Sequence, residues 1–188
     1  ARAVEADEED LKAVYDLQLL TIKPVIYVAN VDEASVLNGN HHVEALRNLV
    51  KGEGAEVVMV SAAIESQIAE LDSPEDRRAF LNEYGLQESG LEKLIKATYH
   101  LLDLITYFTA GETEVRAWTI HRGWKAPQAA GVIHSDFERG CIRAEVIKIP
   151  DYEKYRTEAG CREAGKLAIE GKEYVVEDGD VMHFRFNV

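Results

Sequence analysis

At 188 residues the chain has room for one medium domain or two small ones, and its 46% apolar and 29% charged residues are ordinary for a soluble globular protein. The formal net charge of −13 opposes binding to bulk nucleic acid, so no DNA partner is expected, and no apolar run is long enough to span a bilayer. The acidic start, Ala1 to Asp7, is unlike a signal peptide and implies a cytoplasmic location with no membrane partner.

The charge is unevenly shared: residues 1–103 carry 9 basic and 20 acidic side chains, and residues 104–188 carry 12 and 14. Only the second part is near enough to neutral to approach RNA, through a local basic patch. Cys141 and Cys161 lie far apart, with no His or Cys at metal-ligand spacing, and read as free thiols; no metal site is expected.

Residues 5–20 read as the end of a helix, with Leu11, Val14, Tyr15 and Leu19 at helical spacing behind an acidic first turn, Asp7 to Asp10. Lys23 to Glu33 follows, a short β-branched and aromatic run that ends abruptly at Asn30, the pattern of a buried strand in a parallel sheet. Asn38-Gly39-Asn40 is a turn with Asn40 as helix N-cap; Val43, Leu46 and Val50 form one apolar stripe, and Lys51-Gly52 is the expected stop. His41 and His42 occupy adjacent helix positions and point in different directions, so they do not form a ligand pair. A second strand, Glu56 to Val60, closes on Ser61-Ala62-Ala63. Strand, helix, strand with a right-handed crossover makes the two strands parallel. Asn30 and Ser61 then share the carboxyl-end edge, where open α/β sheets bind ligands. Two strands cannot bury both faces of such a sheet, so the chain is expected to be the C-terminal part of a longer protein.

Residues 64–71 form a short amphipathic helix. Ser73-Pro74-Glu75-Asp76 opens another that stops near Gly85, with Glu75 and Asp76 as capping charge rather than an acid–base pair. The capping box Ser89-Gly90-Leu91-Glu92 launches a longer helix expected to bury Leu91, Leu94, Ile95, Leu101 and Leu102. The composition changes at Thr106. Glu114 to Arg122 is a strand, Gly123-Trp124 a turn, residues 126–133 a short helix with Pro127 in its first turn, and residues 142–147 a strand. Pro150 opens a polar helix through Glu158, Leu167 to Val176 supplies two short strands around Gly171, and Asp178-Gly179-Asp180 is a turn. The last strand alternates cleanly, with Met182, Phe184, Phe186 and Val188 on one face. Strands with a short helix laid across one face describe a small α+β roll.

At the strand ends, the carboxamide of Asn30 can donate and accept in one plane, as a purine edge requires, and Glu33 adds an acceptor for a base amino group. Backbone N–H groups after Ser61 can meet an exocyclic group. Two roles fit Asn30 and Ser61 on spacing alone: reading a base, or capping the turns that follow them. Trp118 reads as core, and Trp124, at a turn, as a possible contact residue.

Asn30-Val31-Asp32-Glu33 and Ser61-Ala62-Ala63 resemble the fourth and fifth guanine-nucleotide motifs of Obg-related P-loop proteins, and more specifically those of the YchF/Obg-like ATPase family. The likeness continues through Leu19 to Val25, Tyr107 to Gly111, Glu114 to Thr119, Ala126 to Ala130, Ile133 to Gly140 and Asp178 to Phe184, which is essentially the whole chain. The resemblance implies an α/β plus α+β chain in three parts: residues 1–20 as the tail of a helical coiled-coil insertion, 21–103 as the C-terminal part of a P-loop G-type domain (a parallel sheet with helices), and 104–188 as a TGS domain, a ubiquitin-like β-grasp. It implies a base-reading set of Asn30, Val31, Glu33, Ser61, Ala62 and Ala63. Val31 stands where ordinary GTPases carry a Lys packed over guanine, and Glu33 where they carry a shorter Asp, which favours ATP over GTP.

No Gly-x-x-x-x-Gly-Lys-Ser/Thr loop and no Mg²⁺-binding switch motif occurs in the 188 residues. By the resemblance, catalysis and Mg²⁺ with ATP belong to the parent protein, and no catalytic residue is assigned here. The resemblance also implies ribosome or ribosomal-RNA docking through the roll, for which Arg116, Arg122, Trp124, Lys125, Arg139 and Arg143 are the candidates. The competing expectation is a nucleotide-independent ribosome- or protein-binding module with no catalysis of its own.

Overall fold

The computed structural model describes Val4, residues 6–111 and residues 114–187. Val188 and the acidic start at residues 1–3 and 5 lie outside the described residues. The chain is a mixed α/β protein that divides into two compact units, Ala1–Leu102 and Asp103–Val188. No helix among the described residues is long and apolar enough to cross a membrane.

In the first unit, β1 (Ile26–Asn30) and β2 (Glu56–Val60) pair in parallel, in register from Ile26 with Glu56 to Asn30 with Val60. The crossover between them contains α2 (His41–Val50), whose N-terminal amides at His42 and Val43 are accepted by Asn40 Oδ1. Val43 and Val50 are buried as their spacing requires. The helix does not stop at Gly52. A 3-10 turn carries it to Gly54, whose φ of +65° is the left-handed conformation that ends it. Beyond β2 come α3 (Ala62–Ala69), α4 (Pro74–Glu83, capped by Ser73 Oγ on the Asp76 amide) and α5 (Gly90–Leu101). Both halves of the α5 capping box are made, Ser89 N to Glu92 Oε2 at 2.8 Å and Glu92 N to Ser89 Oγ at 3.1 Å.

The buried cluster of this unit is Val31, Val36, Val43, Ile64, Leu81 and Leu86, on the sheet face that carries Ala29 and Met59. On the opposite face α5 approaches so closely that a Cβ on Gly90 would stand 3.1 Å from the Val60 Cα. The face α5 turns inward holds Gly90 and Ala97; Leu91, Ile95 and Leu102, expected inside, are exposed. Val28 is likewise exposed, with no further strand or helix among the described residues covering β1 there. The helix expected over residues 5–20 is α1 (Glu8–Ala13) followed by a separate 3-10 turn at Tyr15–Leu17, and Leu11, Tyr15 and Leu19 remain exposed.

The second unit is a five-stranded mixed sheet in the order β4-β3-β7-β5-β6. A hairpin at one edge pairs β3 (Leu104–Ala110) with β4 (Val115–His121); the central strand β7 (Asp180–Phe186) lies parallel to β3 and antiparallel to β5 (Cys141–Lys148), and β6 (Leu167–Glu170) closes the far edge. Strand β3 has no counterpart in the sequence reading. The apolar run of α5 continues into it, and the break is made by Asp103 at φ +53°, a conformation Asp tolerates and sequence pattern does not reveal. Helices α6 (Ala126–Ile133) and α7 (Ser135–Gly140) follow β4. The polar helix expected from Pro150 through Glu158 ends sooner, as α8 (Ile149–Tyr155), stopped at Arg156 with φ +65°, and a helix that was not expected, α9 (Glu158–Glu163), starts where it was to end. Past Gly171 only an isolated bridge, Lys125 with Val175, replaces the second short strand expected there.

One sheet face buries Ile105, Tyr107, Ile120, Val146, Met182 and Phe184 with the small residues of α6. Tyr107 is fully buried, and its hydroxyl donates to the Ala129 carbonyl at 2.9 Å. The other face buries Ile147, Val181 and Cys161. Asp180, 0% exposed at the start of β7, accepts from Lys148 Nζ (2.7 Å), the Tyr174 hydroxyl (2.7 Å) and the Glu177 amide (2.9 Å), so its buried charge is paired and fully hydrogen-bonded.

A second buried carboxylate, Glu145 on β5, accepts from Arg185 on β7 (3.2 Å) and Arg162 on α9 (3.3 Å). The hydrogen bond from Arg185 holds its pKa below the ordinary glutamate value of 4.5, against the opposing push of burial. Folding lowers this pKa, so the stability it contributes is complete above 4.5 and is lost as pH falls through the lower folded value. Trp118 and Trp124 are the only tryptophans, so urea unfolding followed by tryptophan fluorescence reports this unit. The urea midpoint should fall between about pH 5 and pH 3. Glu145→Gln should start lower and lose less over that range. A variant that keeps the parent's pH dependence would place the acid sensitivity elsewhere.

Candidate functional site

Asn30 is the last residue of β1 and Ser61 the first after β2, so the parallel register brings them to one edge of the sheet. The Val31 amide donates to the Val60 carbonyl at 2.9 Å and extends the pairing one step past both strands. At this edge Asn30 Oδ1 accepts the Ala62 amide at 3.0 Å, across 32 residues of sequence. Ala62 is the first residue of α3, and its N–H is one of the helix-terminal donors without an intrahelical partner. An N–H can only donate, so the carboxamide must turn its oxygen toward Ala62 and its Nδ2 away. Asn30 is exposed and keeps two N–H donors and one oxygen lone pair for another molecule.

Spacing alone left open whether Asn30 caps the turn after it. It caps α3 instead; the turn after β1 is held by Asp32, whose Oδ1 accepts the Ser35 amide at 2.8 Å. Ser61 precedes α3 but its side chain makes no capping hydrogen bond. Its Oγ is buried, on a residue 1% exposed, with no hydrogen-bond partner among the described residues. A buried hydroxyl in that state costs about 1–3 kcal/mol.

Glu33 is exposed, and its Oε1 accepts from Gln67 Nε2 on α3 at 3.1 Å. Gln67 was not legible as a site residue, since its partner lies 34 positions away and no local pattern marks it. Ala62 and Ala63 are exposed at the same edge. Val31, which stands where ordinary GTPases carry the packing Lys, is 9% exposed and belongs to the buried cluster with Val36 and Ile64, so its side chain turns into the core. Alternation contained the signal, because Ala29 and Val31 fall on one face. Helix α3 is tied down at its other side by Glu65, whose Oε1 accepts the Gly90 amide at 2.7 Å.

The expected docking residues do not form one free basic patch. Arg122 pairs with Asp103 at 3.2 Å and Lys125 with Glu173. Arg116 lies over the Trp118 ring, 4.2 Å from its centroid. Trp124 is half-buried against the core near His121, not exposed at its turn. Arg139 and Arg143 are exposed and have no ion pair among the described residues. One group of metal-ligand type exists among the described residues, Glu145, Glu158 and His183. Its carboxylates already face Arg162 and Arg185, which makes the cluster an ion-pair network joining α9 to the sheet.

Residues 104–187 match the family model YchF-GTPase_C, described as "Protein of unknown function (DUF933)". A "Ribosome-binding ATPase YchF" from Bacillus subtilis (strain 168) is 59% identical over 190 residues, which takes in 100% of this chain and 52% of that protein. The chain belongs to the YchF family. The YchF protein of Escherichia coli O157:H7, with the same printed name, is 52% identical over 100% of this chain and 51% of its own length. The solved structure of the Schizosaccharomyces pombe YchF GTPase superposes with a TM-score of 0.82 at 37% identity, covering 98% of this chain and 49% of that one. A GTP binding protein from Pyrococcus horikoshii OT3, at 16% identity and a TM-score of 0.61, shares the fold. The chain spans about half the length of the YchF relatives it matches.

The bond from Asn30 to Ala62 is the geometric feature on which this edge closes. Asn30→Ala should accelerate hydrogen exchange of the Ala62 amide by about five- to tenfold, the equivalent of one hydrogen bond of about 1 kcal/mol. Amides at the Val43 end of the unit should be unaffected. Unchanged exchange at Ala62 would mean that the carboxamide does not hold the α3 N-terminus.

Proposed function

We propose that this chain is the C-terminal, base-reading and ribosome-docking portion of a YchF-type P-loop NTPase that prefers ATP. The observation that carries the reading is the Asn30 carboxamide, fixed by the Ala62 amide at the carboxyl ends of two parallel strands, with its Nδ2 turned outward. A fixed donor at that edge suits the N7 acceptor of a purine. Glu33, held by Gln67, offers a carboxylate oxygen to an exocyclic amino group. One amino group on adenine matches one such acceptor, whereas guanine presents its N1 and N2 hydrogens side by side and favours a shorter, bidentate carboxylate. The exposed start of α3 at Ala62 and Ala63 completes the edge, with the Ser61 hydroxyl buried behind it. Val31 contributes its backbone alone.

Phosphate binding, Mg²⁺ and hydrolysis belong in this reading to the part of the parent protein that carries the P-loop. No Gly-x-x-x-x-Gly-Lys-Ser/Thr loop, the backbone cradle for a triphosphate, occurs in the 188 residues. Base contacts of about 0.5–1.5 kcal/mol each barely offset the cost of immobilising a nucleotide. The names of the relatives, ribosome-binding ATPases, support a cytoplasmic, ribosome-associated role for the whole. The second unit, read as a TGS β-grasp, is the docking portion, and Arg139 and Arg143 are its free charges.

Co-sedimentation with ribosomes across a salt series tests this docking. Binding of the chain should weaken steeply with salt, and changing both Arg139 and Arg143 to Ala should lower the log–log salt slope by roughly two. Salt-independent binding, or a variant with the parent's slope, would favour protein–protein docking by a nucleotide-independent module.

A further inference from the structure

The first unit is the more acidic one, yet its positive charge is concentrated. Of the nine Lys and Arg in residues 1–103, five line two adjoining cavities of about 520 and 630 Å³ that share Glu88 and Lys96. Arg47 comes from α2, Arg77 and Arg78 from α4, and Lys93 and Lys96 from α5, where His100 adds a sixth nitrogen group. Arg77 is occupied by the Leu71 carbonyl and Lys96 by Glu88. Arg47, Arg78, Lys93 and His100 have no ion pair or side-chain hydrogen bond among the described residues.

The larger part of the backbone in this groove is an open strand edge. β2 has one hydrogen-bonded neighbour, β1, and the Val60 carbonyl faces it by accepting the Val31 amide. Backbone direction alternates along a strand, so Val58 and Glu56 face β1 as Val60 does, while the N–H and C=O of Val57 and Met59 point away from it. Those groups line the first cavity and have no partner among the described residues. An unpaired edge is a template for another strand, and proteins commonly blunt such edges with charge. Here the basic charges stand on the flanking helices, Arg47 on one side and Lys93 on the other, and the strand itself carries one charge, Glu56 at its start, short of Val57 and Met59.

We propose that the open edge of β2 binds an extended acidic peptide of a partner protein by strand addition. The peptide backbone pairs with Val57 and Met59, and acidic side chains on its alternate positions meet Arg47 and Lys93. Main-chain pairing supplies the affinity in this mode, and the flanking charges supply the selection. An RNA strand would meet the charges but does not repeat N–H and C=O groups at the spacing of a β-strand, which favours the peptide.

The probe is a fluorescein-labelled peptide of alternating Glu and Val, titrated with the 188-residue chain and read by anisotropy. It should bind, and the amide resonances of Val57 and Met59 should shift. Two changes should each weaken binding by about tenfold or more: Arg47→Glu combined with Lys93→Glu in the protein, and N-methylation of alternate peptide amides. The second leaves the protein untouched and stays decisive even if the charge-reversed variant folds poorly. Val57→Pro, which removes an outward N–H without touching the ladder to β1, should abolish binding. Lack of binding, binding indifferent to N-methylation, or binding of oligouridylate in place of the peptide overturns the proposal.

Discussion

Much of the carboxyl-end edge of the first unit's sheet depends on one side-chain oxygen. Asn30 Oδ1 accepts the Ala62 amide and so joins the end of β1 to the start of α3, two segments that parallel pairing alone would leave adjacent but unconnected. The same bond fixes which way the carboxamide faces, because an N–H admits only an oxygen opposite it. The bond from Glu33 to Gln67 repeats the link one turn further along α3, and Glu65 on Gly90 holds the helix to α5. Gly90 is required for that last contact, since any Cβ there would crowd the Val60 backbone. The edge is therefore set by three long-range hydrogen bonds and one close approach, which leaves little freedom at Asn30 or Ala62.

The second unit is organised around a different constraint, the burial of charge. Asp180 has no exposed surface, and Lys148, Tyr174 and the Glu177 amide between them meet both of its side-chain oxygens. Its place at the head of β7 ties that strand to β5, while Glu145 ties the same two strands to α9 through Arg185 and Arg162. Removing one member of such a network costs more than the network contributes, because the remaining charge stays desolvated.

The elements legible in the sequence were those with a local cause. Asn40, Ser73 with Pro74, and Ser89 with Glu92 each opened a helix where their side chains predicted, and both parallel strands ended at the polar residues that marked them. The elements that were missed lacked one. No glycine announces the turn at Asp103 or the break at Arg156, although both residues adopt positive φ, so β3 went unread after α5 and α8 was carried on to Glu158. The inner face of α5 was misjudged because leucine periodicity marked Leu91 and Ile95, whereas the sheet demands the small Gly90 and Ala97 at the point of closest approach. At the carboxyl-end edge the sequence named Asn30, Glu33, Ser61 and the two alanines, but neither Gln67 nor the hydrogen bond between Ala62 and Asn30 was legible, both being contacts between distant segments. Counting basic residues in sequence likewise could not show that Arg122 and Lys125 face carboxylates at Asp103 and Glu173.

The central claim is that the Asn30 edge reads a purine base, and a nuclear magnetic resonance titration of the chain with adenosine tests it without requiring a phosphate site. The account predicts weak, millimolar-range binding, with shifts concentrated at the Asn30 side-chain amide and the Ala62 and Ala63 backbone amides, and smaller shifts with guanosine. Shifts of those signals that are absent for adenosine at saturating concentration, or that appear only at residues remote from the carboxyl ends of β1 and β2, would contradict it.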